Sequence, residues 1–224
     1  MSSGASGRRT RDSTTDLEGV PVPRQLDLID PLARETAAER ERLAELYADL
    51  SPDQWSSPSL CAGWRTREVL AHVTLPYRHT SLRVLRGIAA ARGDFNRFAD
   101  RVARNDTARL SDPELLAALR DNVAHPWRPP GGGQSGALSH DVIHGLDVTE
   151  PLGLPRPPAD RVRRVLLGAG PRALAHFGTD LTGVRLVATD TDFSLGEGPT
   201  TVELPAADLL LRITGRIGVG SSSA

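Results

Sequence analysis

Leu138-Ser139-His140-Asp141-Val142-Ile143-His144-Gly145-Leu146-Asp147 carries two of the chain's six histidines, four residues apart, in a segment of helical character. On an α-helix, positions i and i+4 stack on one face, so both imidazoles are offered to one spot. That is the spacing with which a helix presents two nitrogen ligands to one metal ion. Taken alone, the pair fits two surface or cap histidines equally well. Gly145 comes too early for a C-cap and fits close helix packing instead, while Pro151-Leu152-Gly153-Leu154-Pro155 ends the helix.

Toward the N-terminus, Leu28, Ile29, Leu32, Leu43, Leu46, Tyr47 and Leu50 recur at helical spacing among charged residues such as Glu39, Arg40, Arg42 and Glu45. This predicts a long helix over 25–50, interrupted at most near Pro31. Ser51 caps a short turn with Pro52 in its first position, and Trp55 precedes a loop containing Cys61-Ala62-Gly63-Trp64. A second helix is expected from Thr66, its cap, through Val69, Leu70, His72, Val73 and Leu82 to Ile88, kinked at Pro76. A short helical piece over 97–109 follows, then a third helix from Leu115 to about Ala124, opened by Asp112-Pro113. Residues 125–136, with Pro126, Pro129, Pro130 and three consecutive glycines, read as a loop.

Beyond Pro158 a helix over 160–177, broken at Gly170-Pro171, gives way to a period of two. Val184, Leu186 and Ala188 alternate with Arg185, Val187 and Thr189; Phe193 and Leu195 alternate likewise, and Thr200 to Leu204 makes a third short strand. Ala206 to Ile213 returns to a helix. The fold class is therefore mainly α with a small α+β appendage. The expected divisions are a disordered leader (1–24), a helical bundle (25–158), a C-terminal α+β unit with a three-stranded sheet (159–216) and a flexible tail (217–224).

Composition narrows the functional classes. A net charge of −1 supplies no global field for nucleic acid or an anionic membrane. The single cysteine excludes an intrachain disulfide framework and a cysteine-based zinc knuckle. No apolar run approaches ~18 residues, so no membrane helix is expected, and the leader lacks the apolar core of a signal peptide. The expected compartment is the cytoplasm. All 27 basic residues are arginine, which together with abundant Ala, Gly and Pro indicates GC-rich coding of the actinobacterial type.

Three strings carry a family likeness: Trp55 with Ser59-Leu60-Cys61-Ala62-Gly63-Trp64 and Glu68-Val69-Leu70-Ala71-His72; His144 to Asp147 followed by Pro151-Leu152-Gly153; and Ala207-Asp208-Leu209-Leu210-Leu211 with Thr214-Gly215-Arg216. In that order and at these separations, over residues 26 to 216, the chain resembles the mycothiol-dependent maleylpyruvate isomerase family. These are DinB-like metal-binding four-helix bundles with a small C-terminal α+β domain. The resemblance implies a divalent metal, usually zinc, held by His72, His140 and His144, with mycothiol as thiol co-substrate. The first of the paired ligands is commonly a glutamate in the family; here it is His140. Three imidazoles around one open position form a recognised catalytic arrangement.

The resemblance implies a metal-dependent enzyme that activates a thiol and delivers it to a small electrophile, by isomerisation or S-transfer. The other open class is a non-catalytic metal-binding bundle serving as a binding module. The expected partners are a small-molecule electrophile and a low-molecular-weight thiol, with no nucleic acid and no membrane, in a monomer or homodimer. Arg216 is the candidate catalytic residue, reaching a substrate carboxylate, against the reading of a surface arginine. Asp147 is either a partner to a ligand imidazole or a helix-end residue. Cys61, among apolar neighbours, reads as buried and inert. His79 is expected too far along its helix to join the site, and His125 and His176 are expected in loops or on the surface.

Overall fold

The structure, a computed structural model, describes residues 30–168, 174–175 and 177–217. The leader expected over 1–24, the tail beyond Ile217, the break at Gly170-Pro171 and His176 lie outside the described residues. The described residues from Pro31 to Ile217 make one compact unit. Among the described residues ten helices and a three-stranded sheet follow in order. They are α1 (Pro31–Ala48), α2 (Pro52–Ser56), α3 (Thr66–Val73), α4 (Leu75–Arg78), α5 (Ser81–Ala90), α6 (Phe95–Thr107), α7 (Asp112–Arg120), α8 (Gly133–Leu152) and α9 (Ala159–Leu167). Then come β1 (Val184–Ala188), β2 (Ser194–Leu195), β3 (Thr200–Leu204) and α10 (Ala206–Ile213). The mainly helical class with a small sheet is as the sequence indicates.

Local chemistry sets the boundaries. Pro31 starts α1 instead of interrupting it, because its missing N–H is unneeded in the first turn. Ser51 and Gln54 form a capping box on α2. The helix expected from Thr66 to Ile88 is three helices. Pro76 sits in the first turn of α4, His79 is extended, and Thr80 accepts the Arg83 N–H to cap a new start. Thr66 is the first residue of α3 and not its cap; the Arg65 N–H is taken by the Glu68 carboxylate at 2.9 Å. The glycine loop is shorter than expected, since α8 is already helical at Gly133. At its other end Gly153 adopts the left-handed conformation at φ +62°, which favours glycine.

Two cores meet along α8. One gathers Leu43, Ala44 and Tyr47 of α1 with Val69, Leu70 and Val73 of α3, Leu115 and Leu119 of α7, and Val148. The other joins Leu138, Val142, Ile143 and Leu146 of α8 to Val162 and Val165 of α9, Leu186 of β1 and the apolar side of α10. Each fully buried Leu, Ile or Val contributes about 1.5–3 kcal/mol relative to exposure, so packing of the two cores already holds α3 and α8 in place. In the sheet, β1 pairs antiparallel with β2 and parallel with β3, with Leu186 opposite both Leu195 and Val202. A Cβ on Gly145 would lie 3.1 Å from Leu43 Cδ2 and Glu39 Oε1, so its absence lets α1 lie against α8, as read from the sequence.

Charged residues within this packing are paired. Glu39, fully buried, accepts from Arg42 and, at 2.8 Å, from Arg161, tying α1 to α9. Arg156 bonds Glu150 and Asp208, tying the end of α8 to α10.

Candidate metal centre

His72, His140 and His144 converge. Their ring centroids form a triangle with sides of 5.1, 4.8 and 4.8 Å. One nitrogen from each lies within 4.8 Å of the other two, and His72 Nε2 faces His140 Nε2 at 3.3 Å. His72 comes from the last turn of α3, its neighbours Val69, Leu70, Ala71 and Val73 all in the core; the pair comes from the middle of α8. His72 is buried, while His140 and His144 are half-buried and open one side of the triangle to solvent.

Each member of the pair is backed by a carboxylate. His140 Nδ1 is 2.9 Å from Asp141 Oδ1, and His144 Nδ1 is 2.9 Å from Asp147 Oδ2. An ionised carboxylate only accepts, so Nδ1 carries the proton in both rings and Nε2 keeps its lone pair. Both aspartates are fully buried and both are paired with arginine: Asp141 with Arg40 at 2.7 Å, Asp147 with Arg216 at 2.8 Å. Burial raises the Asp147 carboxyl, but hydrogen bonds from His144 and Arg216 outweigh it and hold it below the usual carboxylate range. Asp147 is thus a partner to an imidazole and not a helix-end residue. The sequence signal was there, an Asp three residues after a candidate ligand on the same helix face.

Cys61 packs against the apolar core and also has polar partners. Its thiol donates to Asp147 Oδ2 at 3.0 Å and lies 3.8 Å from His144 Nδ1. Burial, then the Asp147 charge, pushes the thiol well up, which keeps it protonated and unreactive. The loop that carries Cys61 is fixed by the Leu60 N–H on the Asp147 carbonyl at 2.9 Å. Arg216, expected at a substrate carboxylate, spends Nε and Nη2 on Asp147 and Nη1 on the Thr214 carbonyl. His79 lies elsewhere, 2.8 Å from Asp106, and His125 packs on Tyr77.

Aromatic rings wall the triangle. Trp64 lies 5.2 Å from His72, Phe95 presents its edge to His72 at 6.5 Å, and Trp127 meets His140 edge-on at 5.1 Å. Neither Phe95 nor Trp127 stands out in the sequence. Such walls suit the flat or apolar part of a small molecule.

Burial, then the neighbouring His144 and His140, holds the His72 imidazole well below its ordinary value of 6.5; burial also lowers His144, against the Asp147 hydrogen bond. As the solution is acidified the unfolded chain therefore binds protons first. The stability these groups contribute is complete above 6.5 and is lost as pH falls through their folded values. Chelator-treated protein is expected to lose up to about 1.4 kcal/mol per pH unit for each such imidazole as pH falls from 6.5 to its folded value. Thermal melts from about pH 8 to pH 5 check it; a flat melting temperature would show that the rings are accessible to protons in the folded state.

Fold and geometry together define a class, a mainly helical fold with a small three-stranded sheet and a three-histidine cluster, two of whose members are backed by carboxylates. Residues 36–126 match the family described as the mycothiol maleylpyruvate isomerase N-terminal domain. The match includes His72 and ends before the His140/His144 pair. An uncharacterized protein of Mycobacterium tuberculosis, in strains CDC 1551 / Oshkosh and ATCC 25618 / H37Rv, is 29% identical over 177 residues, covering 68% of this chain and 68% of its own. Among solved structures, the mycothiol-dependent maleylpyruvate isomerase and a histidine-to-alanine mutant of it each superpose with a TM-score of 0.52 at 15% identity. They cover 84% and 86% of this chain, and 88% and 92% of theirs. At that identity the likeness is one of fold. No helix among the described residues is long and apolar enough to cross a membrane.

Proposed function

We propose that His72, His140 and His144 hold a divalent metal and that the protein is a thiol-using enzyme of its family. The observation that carries this reading is the convergence of three imidazoles whose two solvent-side members have Nδ1 tied to buried carboxylates. Neutral imidazoles with free Nε2 lone pairs are a ligand set suited to zinc, and the lowered basicity of His72 favours a cation over a proton there. The residues present fit the group. A divalent ion in such a site supplies a Lewis-acid position at which a thiol ionises near neutral pH.

The chain's own residues do the rest. Asp141 and Asp147 orient the two α8 imidazoles, Arg216 holds Asp147, and Trp64, Phe95 and Trp127 restrict water and seat the apolar part of a substrate. In this reading the bundle (25–158) supplies the three histidines. The α+β unit (159–216) supplies Arg216 as a positioning residue. Mycothiol, on which the structurally similar isomerase depends, is the co-substrate the family suggests, with a small electrophile as its acceptor and the cytoplasm as the setting.

Elemental analysis of protein purified without chelator is expected to find about one equivalent of divalent metal per chain. Titration of a cobalt-substituted sample with a thiol is then expected to give a sulfur-to-cobalt charge-transfer band. Absence of metal after reconstitution would overturn the metal reading. A metal-loaded protein that takes up no thiol would instead be a binding module.

A further inference from the structure

Arg40 lies in α1, 101 residues from Asp141 in sequence, and is 1% exposed. Its Nε donates to Asp141 Oδ2 at 2.7 Å, while the other oxygen of that carboxylate faces His140 Nδ1 at 2.9 Å. Its Nη1 donates to the carbonyls of His125 at 2.7 Å and Val123 at 3.3 Å. That is the segment leading into Trp127, whose ring meets His140. The guanidinium also stands over the Tyr77 ring, 5.3 Å from its centroid. Its Nη2 is buried with no hydrogen-bond partner among the described residues.

A buried ion pair with an orphaned donor is a poor device for stability. Apolar residues of the same volume would serve as well or better. What the arrangement provides is direction. Each Asp141 oxygen has one partner, so the carboxylate plane is fixed, and with it the ring it faces.

We propose that Arg40 is the positioning residue of His140, fixing through Asp141 the Nδ1–H tautomer and aiming Nε2 at His72. It sets the neighbouring wall as well, by holding the 123–125 carbonyls. The tautomer assignment stands on this geometry alone; its consequence for metal affinity rests on the proposed metal reading.

Long-range proton–nitrogen correlation spectra of metal-free protein labelled with 15N-histidine distinguish protonated from bare ring nitrogens. At about pH 8.5, two units above the ordinary imidazole value, wild-type His140 is expected to show a proton on Nδ1 only. Arg40→Met strands a buried carboxylate, so the double variant Arg40→Met/Asp141→Asn, which removes both charges at constant volume, guards against loss of folding. In either variant that folds, His140 is expected to populate both tautomers. Cobalt affinity is expected to fall on the order of 10–100-fold, the usual cost of a lost partner behind a metal-bound histidine.

Wild-type His140 protonated on Nε2, or a folded double variant that keeps the wild-type tautomer, would overturn the proposal. A lower melting temperature with an unchanged tautomer would leave Arg40 a purely structural residue and overturn it equally. If wild type takes up no cobalt while the variants lose the tautomer, the metal reading fails and the positioning role stands.

Discussion

His72→Ala, His140→Ala and His144→Ala are each expected to lose most of the bound metal while the fold survives. The proposed site has three protein nitrogens, so each variant removes a third of the ligand set. Affinity should fall by more than the ~10–100-fold that a lost outer partner costs. The fold should survive because no ligand is needed to join α3 to α8. Val69, Leu70 and Val73 already pack with Leu43, Leu115 and Val148, and α8 is clamped from its other side by Val162, Val165 and α10. The three losses are not equivalent. His72→Ala removes a ring whose Nδ1 is buried without a partner among the described residues, so its stability cost is offset in part. His144→Ala takes one of three donors from Asp147, while Cys61 and Arg216 remain. Elemental analysis gives the stoichiometry and circular dichroism the fold. A variant that keeps full metal content is not missing a ligand, and the three-histidine assignment would fail at that residue.

The parts of this molecule governed by local chemistry were legible in its sequence. The i, i+4 pair marked α8, proline and serine marked helix starts, and the period of two over 184–204 marked all three strands. The α3–α5 region was not, because a periodic apolar pattern runs through Pro76 and only the competing cap at Thr80 shows where the chain restarts. The site divides the same way. His72, His140 and His144 came from spacing and a family likeness. The groups that aim them did not, since Arg40 and Arg216 reach their aspartates across 101 and 69 residues. On a helix as charged as α1, nothing in the sequence sets Glu39 and Arg40 apart from Arg42 and Glu45, yet both are buried with partners from other helices. Cys61 packs on the apolar core as its near neighbours in sequence suggest, but its polar partners in space, Asp147 and His144, lie more than eighty residues on.

Asp147→Ala is expected to be the most destabilising single change at the site. The carboxylate, fully buried, accepts from His144, Cys61 and two nitrogens of Arg216, so its removal strands three donors at once. Breaking a buried ion pair from one side costs about 3–5 kcal/mol; the lower figure applies here, since the Arg216 side chain keeps 17% exposure and can draw water. For a unit of this size about 3 kcal/mol corresponds to a fall of roughly 6–12 °C in melting temperature. The pH dependence follows from the sign of the shift. Asp147 is held below its ordinary value of 3.8, so its contribution is present above that value and is lost only as pH falls through the folded one. The part of the deficit that comes from the Asp147 carboxyl's own titration should therefore be constant from neutral pH down to about 4 and shrink below it. Arg216→Met added to Asp147→Ala should recover part of the loss, because the stranded guanidinium is then gone, and a double-mutant cycle by urea denaturation measures that coupling. A single variant that melts within a degree of wild type, or a cycle with no coupling, would mean that Asp147 and Arg216 are each satisfied by solvent. Asp147 would then not be the node that joins α8, the Cys61 loop and the segment after α10.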